Sequence, residues 1–210
     1  SQALSITNDD DADATVSATG ANTITIDASV KNVTLANSAA DALTDTISAD
    51  ESLSVLNVTS GAGVATVGDV DVTSAATGAL GLTLNVTAGA KNAVVGLVDI
   101  NGGGTSGSTA NVTANLKSTA GSAATSGTVT VGRIDINEGA TTVSSLALNM
   151  AADAGNVTLN ALDLEDVDST AVVVSAASGQ TASIDALVGT SNLSTITASG
   201  AGTISLFDSG

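Results

Sequence analysis

Four aspartates recur inside four versions of one phrase. Asp71 stands in ATVGDVDVTSA (65–75), Asp99 in AVVGLVDINGG (93–103), Asp135 in VTVGRIDINEG (129–139) and Asp163 in VTLNALDLEDV (157–167). Carboxylates held at one repeated place can bind hard cations, work as paired acid and base, or keep a surface hydrated. Two residues beyond them, Thr73, Asn101, Asn137 and Glu165 add further oxygen atoms, and calcium collects about six to eight such ligands. The run NDDDADAT (8–15) alternates Asp9, Asp11 and Asp13 in the manner of D-x-D-x-D calcium loops, although the glycine and closing glutamate of an EF-hand are absent. A thinner cluster joins Glu165, Asp166 and Asp168. These patterns predict Ca2+ at Asp9, Asp11 and Asp13 and along the series Asp71, Asp99, Asp135 and Asp163. The competing expectation is that the acids only keep the outer face wet.

Other chemistry has few residues to work with. The chain has no His, Cys, Trp, Tyr or Pro, and Phe207 and Met150 are its single phenylalanine and methionine. That composition removes the histidine base, the thiol nucleophile and the usual zinc, copper and iron ligands. A paired-carboxylate glycosidase is conceivable with Asp135 and Asp163 in neighbouring coils. Sugar rings are normally held by Trp or Tyr, however, so a carbohydrate-active enzyme ranks low and no enzymatic activity is expected. A net charge of −17, from 21 acids against 4 bases, repels nucleic acid and anionic membranes, and there is no aromatic platform on which bases could stack. No run of 18 apolar residues predicts membrane insertion. The first residue is Ser1, as in a mature exported protein, and an extracellular or cell-surface location is expected. Without disulfides, bound metal is the natural staple there. The acceptor pattern for N-glycosylation occurs at Asn32, Asn57, Asn85, Asn111, Asn156 and Asn192, but several matches are expected by chance in so Ser/Thr-rich a chain.

The elements that must position these acids are short strands. A hydrophobic fraction of 43% built from Val, Leu, Ile and Ala suits thin layers of strands. Positions 71, 99, 135 and 163 are separated by 28, 36 and 28 residues. The longer interval contains two Gly/Ser/Thr/Ala-rich stretches, 101–110 and 118–127, that read as loops. Alternation sends Val129 and Val131 to one face, and the inward set resumes at Ile134 and Ile136, so the phase slips by one residue. The same slip at 67–70, 95–98 and 159–162 predicts a corner, occupied by Gly68, Gly96, Gly132 and Asn160, with Asp185 in a fifth, weaker copy (181–189). Tolerance of left-handed backbone is the expected reason for these residue types. A second strand follows each corner phrase, at 80–88, 108–116, 144–152 and 171–179. Regular repetition of this kind marks a stacked repeat fold. The expected architecture is an all-β parallel β-solenoid with coils of about 28 residues, about three short strands per coil and roughly seven coils, some 35 Å long at about 4.8 Å per coil. Tandem β-sandwiches are the alternative. Residues 1–20 are expected to form an N-terminal strand and acidic loop, 21–64 less regular coils, and 65–210 the regular solenoid.

A solenoid ends in unpaired strand edges that are either capped or used for assembly. The opening SQALSIT alternates Leu4 and Ile6 and could add to a neighbouring subunit by β-augmentation. Strands rich in Asp, Asn, Gly, Thr and Ala, with scarce Lys and no Cys, resemble bacterial surface-layer proteins and related secreted β-solenoid exoproteins. That resemblance implies an extracellular, self-assembling, calcium-dependent structural protein. The G-G-x-G-x-D nonapeptide of the RTX group is absent, NGGGTSGS (101–108) being a partial echo, so no ligand set is carried over. The expected function is a subunit of a filament or surface layer whose partner is a second copy of itself. An adhesin, ice-binding or ligand-binding module is the alternative, although the T-x-T pairs 23/25, 128/130 and 195/197 do not recur in every coil.

Overall fold

A computed structural model describes residues 2–7, 15–18, 22–27, 32–37, 43–50, 53–73, 79–101, 109–120, 126–137, 143–165, 167–189 and 193–207. The odd-numbered strands are β1 (Gln2–Thr7), β3 (Asn22–Asp27), β5 (Leu43–Asp50), β7 (Ala65–Thr73), β9 (Ala93–Asn101), β11 (Val129–Asn137), β13 (Val157–Asp163), β15 (Thr181–Val188) and β17 (Thr203–Leu206). Between them run β2 (Thr15–Ala18), β4 (Asn32–Asn37), β6 (Val55–Ser60), β8 (Ala79–Ala88), β10 (Thr109–Ser118), β12 (Val143–Ala152), β14 (Ser169–Ala176) and β16 (Leu193–Gly200). The even strands form one eight-stranded sheet and β5 to β17 one seven-stranded sheet, each in sequence order. β1 pairs with β3, and β3 lies against β5.

Each described pairing is parallel, and the chain crosses from one sheet to the other after every strand. This is a parallel β-solenoid; β-sandwiches, built from antiparallel pairs, are ruled out. The 28-residue coil recurs where Ala65 lies beside Ala93 and Val129 beside Val157. Elsewhere the coil length varies from 17 residues (Thr15 beside Asn32) to 36 (Ala93 beside Val129). The added residues of the longest coil fall between β9 and β10 and between β10 and β11, the two stretches expected to be loops.

Inward side chains stack on their own kind. In the even sheet Leu56, Leu84, Ala114, Leu148 and Val172 follow one another rung by rung, and all are buried. In the odd sheet Val67, Val95, Val131, Leu159 and Ile184 do the same. Both sets belong to one continuous core. Each fully buried aliphatic side chain contributes about 1.5–3 kcal/mol of transfer free energy, which stands in for the disulfides that the chain lacks. Where the even strands end and the chain turns, the inward column shrinks to Ser60, Ala88, Ser118, Ala152 and Ala176, because the turn leaves room for nothing larger.

The predicted phase slip is present. In β9, Val95 and Val98 are buried while Gly96 and Leu97 between them both face out. Hydrogen-bonded pairing skips this point in every coil, so Gly68, Gly96, Gly132, Asn160 and Asp185 stand in line. Two corrections follow. The strand continues through the bend, so a coil has two strands rather than about three. The reason for glycine also differs, since positive φ occurs at Gly179, Gly189, Gly200 and Phe207, not at the corner. What glycine provides is closeness: a β-carbon at Gly96 would lie 2.6 Å from the Gly68 carbonyl oxygen, and one at Gly132 would lie 2.9 Å from that of Gly96.

A second tight column lies at the turns leading into β11 and β13. The Gly127 amide donates to the Gly89 carbonyl at 2.7 Å, and a β-carbon at Gly127 would collide with the Lys91 carbonyl oxygen, as one at Gly155 would with that of Gly127. Gly81, in contrast, has open space around its missing side chain. Gly127→Ala is expected to destabilise the protein by about 2–4 kcal/mol, the cost of overpacking against backbone. Gly81→Ala is expected to be neutral or stabilising by up to about 1 kcal/mol. Urea unfolding of the two variants checks this; equal effects would refute the close-approach explanation.

Candidate functional site: an acidic column and an uncharged face

The repeated aspartates form the column that their spacing predicted. Asp71 pairs in register with Asp99, Asp99 with Asp135 and Asp135 with Asp163. Thr73, Asn101 and Asn137 form a parallel column beside them, and the Thr73 hydroxyl donates to Asp71 Oδ1 at 3.4 Å. Glu165 is not part of that second column: it follows the end of β13, and its amide donates to Asp163 Oδ1 at 3.1 Å. Asp9, Asp11, Asp13 and Asp166 lie outside the described residues.

Like charges one rung apart, about 5 Å, repel by roughly 0.8 kcal/mol in water and by about 3 kcal/mol at the effective dielectric of a protein surface. The column answers this at its upper end. Arg133, two residues before Asp135 on the same strand, places Nη2 2.9 Å from Asp135 Oδ2 and in closer contact with Asp163 Oδ2. The guanidinium side chain is 45% exposed, while the two carboxylates are 15% and 9% exposed. Asp163 is covered because the chain after β13 curls over the core: Leu164 and Val167 are buried, and the Leu164 amide donates to the Val188 carbonyl at 2.9 Å. Asp71 at the lower end is exposed.

Among the described residues no group of three or more carboxylates is arranged to hold a metal ion. The column supplies one carboxylate per rung along a line rather than a converging shell. Asp135 and Asp163, the pair considered for acid–base work, share one guanidinium. The T-x-T pairs fall on both sheets, in β3, at the start of β11 and in β16, so they do not make one row.

Sequence reasoning missed the polar column of the other sheet. Asn149 Nδ2 donates to Asn115 Oδ1 at 2.9 Å, Asn115 to Asn85 at 2.8 Å, Asn85 to Asn57 at 2.8 Å, and Asn57 to Thr34 Oγ1 at 3.1 Å. The signal was present in these asparagines, 28, 30 and 34 residues apart at one strand position, but variable coil lengths concealed it. Asn57 and Asn85 are also glycosylation acceptors by pattern, and their amide nitrogens are committed to this ladder. Asn92 and Asn156, just before β9 and β13, accept the Thr128 and Thr181 amides at 3.0 and 2.9 Å. Ser60 and Ser118, buried at the ends of β6 and β10, bridge to the turn of another coil through the Lys91 and Gly155 carbonyls.

Charge is divided between the two sheets just as unevenly. Odd strands carry nine aspartates and Arg133, whereas the even strands carry one ionisable residue, Lys117. Lys117 is itself paired at 3.2 Å with Asp153, in the turn after β12.

Fold and site together define a parallel β-solenoid with an acidic column along one sheet and, among the described residues, no acid on the outer face of the other. Compared with protein-family models, curated proteins and solved structures, the chain matches none.

Arg133→Gln is expected to lower stability by about 1–2 kcal/mol, because it leaves two partly buried carboxylates one rung apart without their cation. Adding Asp163→Asn is expected to recover at least half of the loss. Denaturant unfolding of both single variants and the double variant measures the coupling; strictly additive losses would refute the shared-cation account.

Proposed function

We propose that this protein is a structural, extracellular subunit that assembles end to end with further copies of itself, in a filament or surface layer. The observation that carries the reading is the parallel pairing that continues rung by rung to the last strands. β16 pairs with β14 and β17 with β15 in the same parallel sense as every rung beneath them, and among the described residues neither has a neighbour on its other side. Ile196, on the inward line above Val172, is 42% exposed. Leu193, Ile204, Leu206 and Phe207 pack only partly buried against this end of the core. An open strand edge above incompletely covered aliphatic residues is a template for another rung. A composition without His or Cys, rich in Thr, Ser and Asn, suits a scaffold better than a catalyst.

Calcium enters this reading as the cation that relieves a chain of net charge −17. Its first candidates are Asp9, Asp11 and Asp13, followed by the outward column of Asp71, Asp99, Asp135 and Asp163.

Electron microscopy and light scattering of the full chain, with and without calcium, test the reading. Rods longer than the roughly 40 Å of one stack at about 4.8 Å per rung are expected, with a higher melting temperature when calcium is present. Ile196→Lys, which places a charge on the terminal rung, is expected to stop growth while leaving the melting temperature within about 4 °C of the parent. A monodisperse monomer under every calcium condition would overturn the assembly reading, and an unchanged melting temperature would remove calcium from it.

A further inference from the structure

Among the described residues, the outer face of the even-strand sheet carries no acid. Its described outward residues are Asn, Thr, Ser, Gly and Ala, together with Val55 and with Val173, which is 43% exposed, and its single lysine, Lys117, is paired with Asp153. A surface built only to keep the protein soluble would carry interspersed charges, as the odd-strand sheet does. Two copies with a net charge of −17 each repel through the acidic odd-strand side. They can approach only where the field is weakest and no carboxylate must be desolvated.

We propose that this face binds the same face of a second copy of the chain, in an isologous, two-fold contact. Three observations bear on the fit. The ladder from Asn57 to Asn149 holds the central side chains in place before contact, so little rotamer freedom remains to be lost on docking. The outward neighbours are short, Thr83, Thr113, Ala147 and Ala171 forming one continuous row, so two such surfaces can meet without interlocking long side chains. The size is also adequate. Eight strands at about 4.8 Å, most of them about 20–33 Å long, present roughly 900 Å² per copy, and burying both gives about 1,800 Å², the range of a stable interface. This contact is lateral to the solenoid axis and independent of end-to-end growth.

Sedimentation velocity of the full chain carrying Ile196→Lys, which removes end growth from the measurement, tests the proposal. A dimer is expected whose population rises with sodium chloride, because salt screens the repulsion between two acidic bodies. Ala147→Glu, at the middle of the face, is expected to weaken dimerisation by about tenfold or more by placing like charges near each other across the two-fold axis. Thr130→Glu, on the outer face of the odd sheet, is expected to leave it unchanged. Circular dichroism melts establish that each variant is folded, and Thr113→Asp substitutes for Ala147→Glu should that protein not fold. A monomer at all salt concentrations, including one that captures a glycan or another protein on this face, overturns the proposal. So does a dimer equally sensitive to Ala147→Glu and Thr130→Glu.

Discussion

Each coil pairs in parallel with the next, with register shifts only at Asp45/Ile47 and Thr170/Ala171 among the described strands, and this stacks strand residues on their counterparts one winding below. For aliphatic side chains the rule is favourable, as in the run Leu56, Leu84, Ala114, Leu148 and Val172. For asparagine it is favourable too, because an amide carries both donor and acceptor and can continue a chain of hydrogen bonds without end. For aspartate it is unfavourable, since each carboxylate meets another acceptor of the same charge. The molecule therefore needs Arg133 at the point where the column becomes buried. The same constraint explains Gly96 and Gly132 at the bends, where a β-carbon would lie within 3 Å of the carbonyl oxygen one winding below.

Much of the fold was legible because the odd strands repeat a phrase of fixed internal length. The corner residue, the phase slip and the aspartate column all lie within nine residues of one another, so loop insertions cannot disturb their mutual spacing. The asparagine ladder was illegible for the opposite reason. Its members are brought together across turns of differing length, and each asparagine viewed alone looked like a strand flank or a glycosylation acceptor. The physical cause of the corner glycines could not be read either. Positive φ and close backbone approach select the same residue type, and only the position of the neighbouring coil separates them.

The distribution of charge ties the two sheets into one design. Acids on the odd-strand face and in the turns keep the molecule hydrated and discourage indiscriminate edge pairing, at the expense of repulsion within the column. The even-strand face bears none of that load and stabilises itself with neutral amides. A solenoid with acids along one sheet and none among the described residues of the other is electrostatically two-sided.

The range of coil lengths, 17 to 36 residues over one unbroken ladder, has a consequence for how such a gene can change. Because the strands hold their places whatever the turns contain, duplication or loss of the DNA for one full winding would add or remove a rung and leave the neighbouring rungs matched. Stability in a stacked array is close to a sum over adjacent units. Lineages carrying this architecture can therefore drift in length by whole windings at little thermodynamic penalty, while a slip of a single residue within a strand would turn its hydrophobic side chains to the solvent.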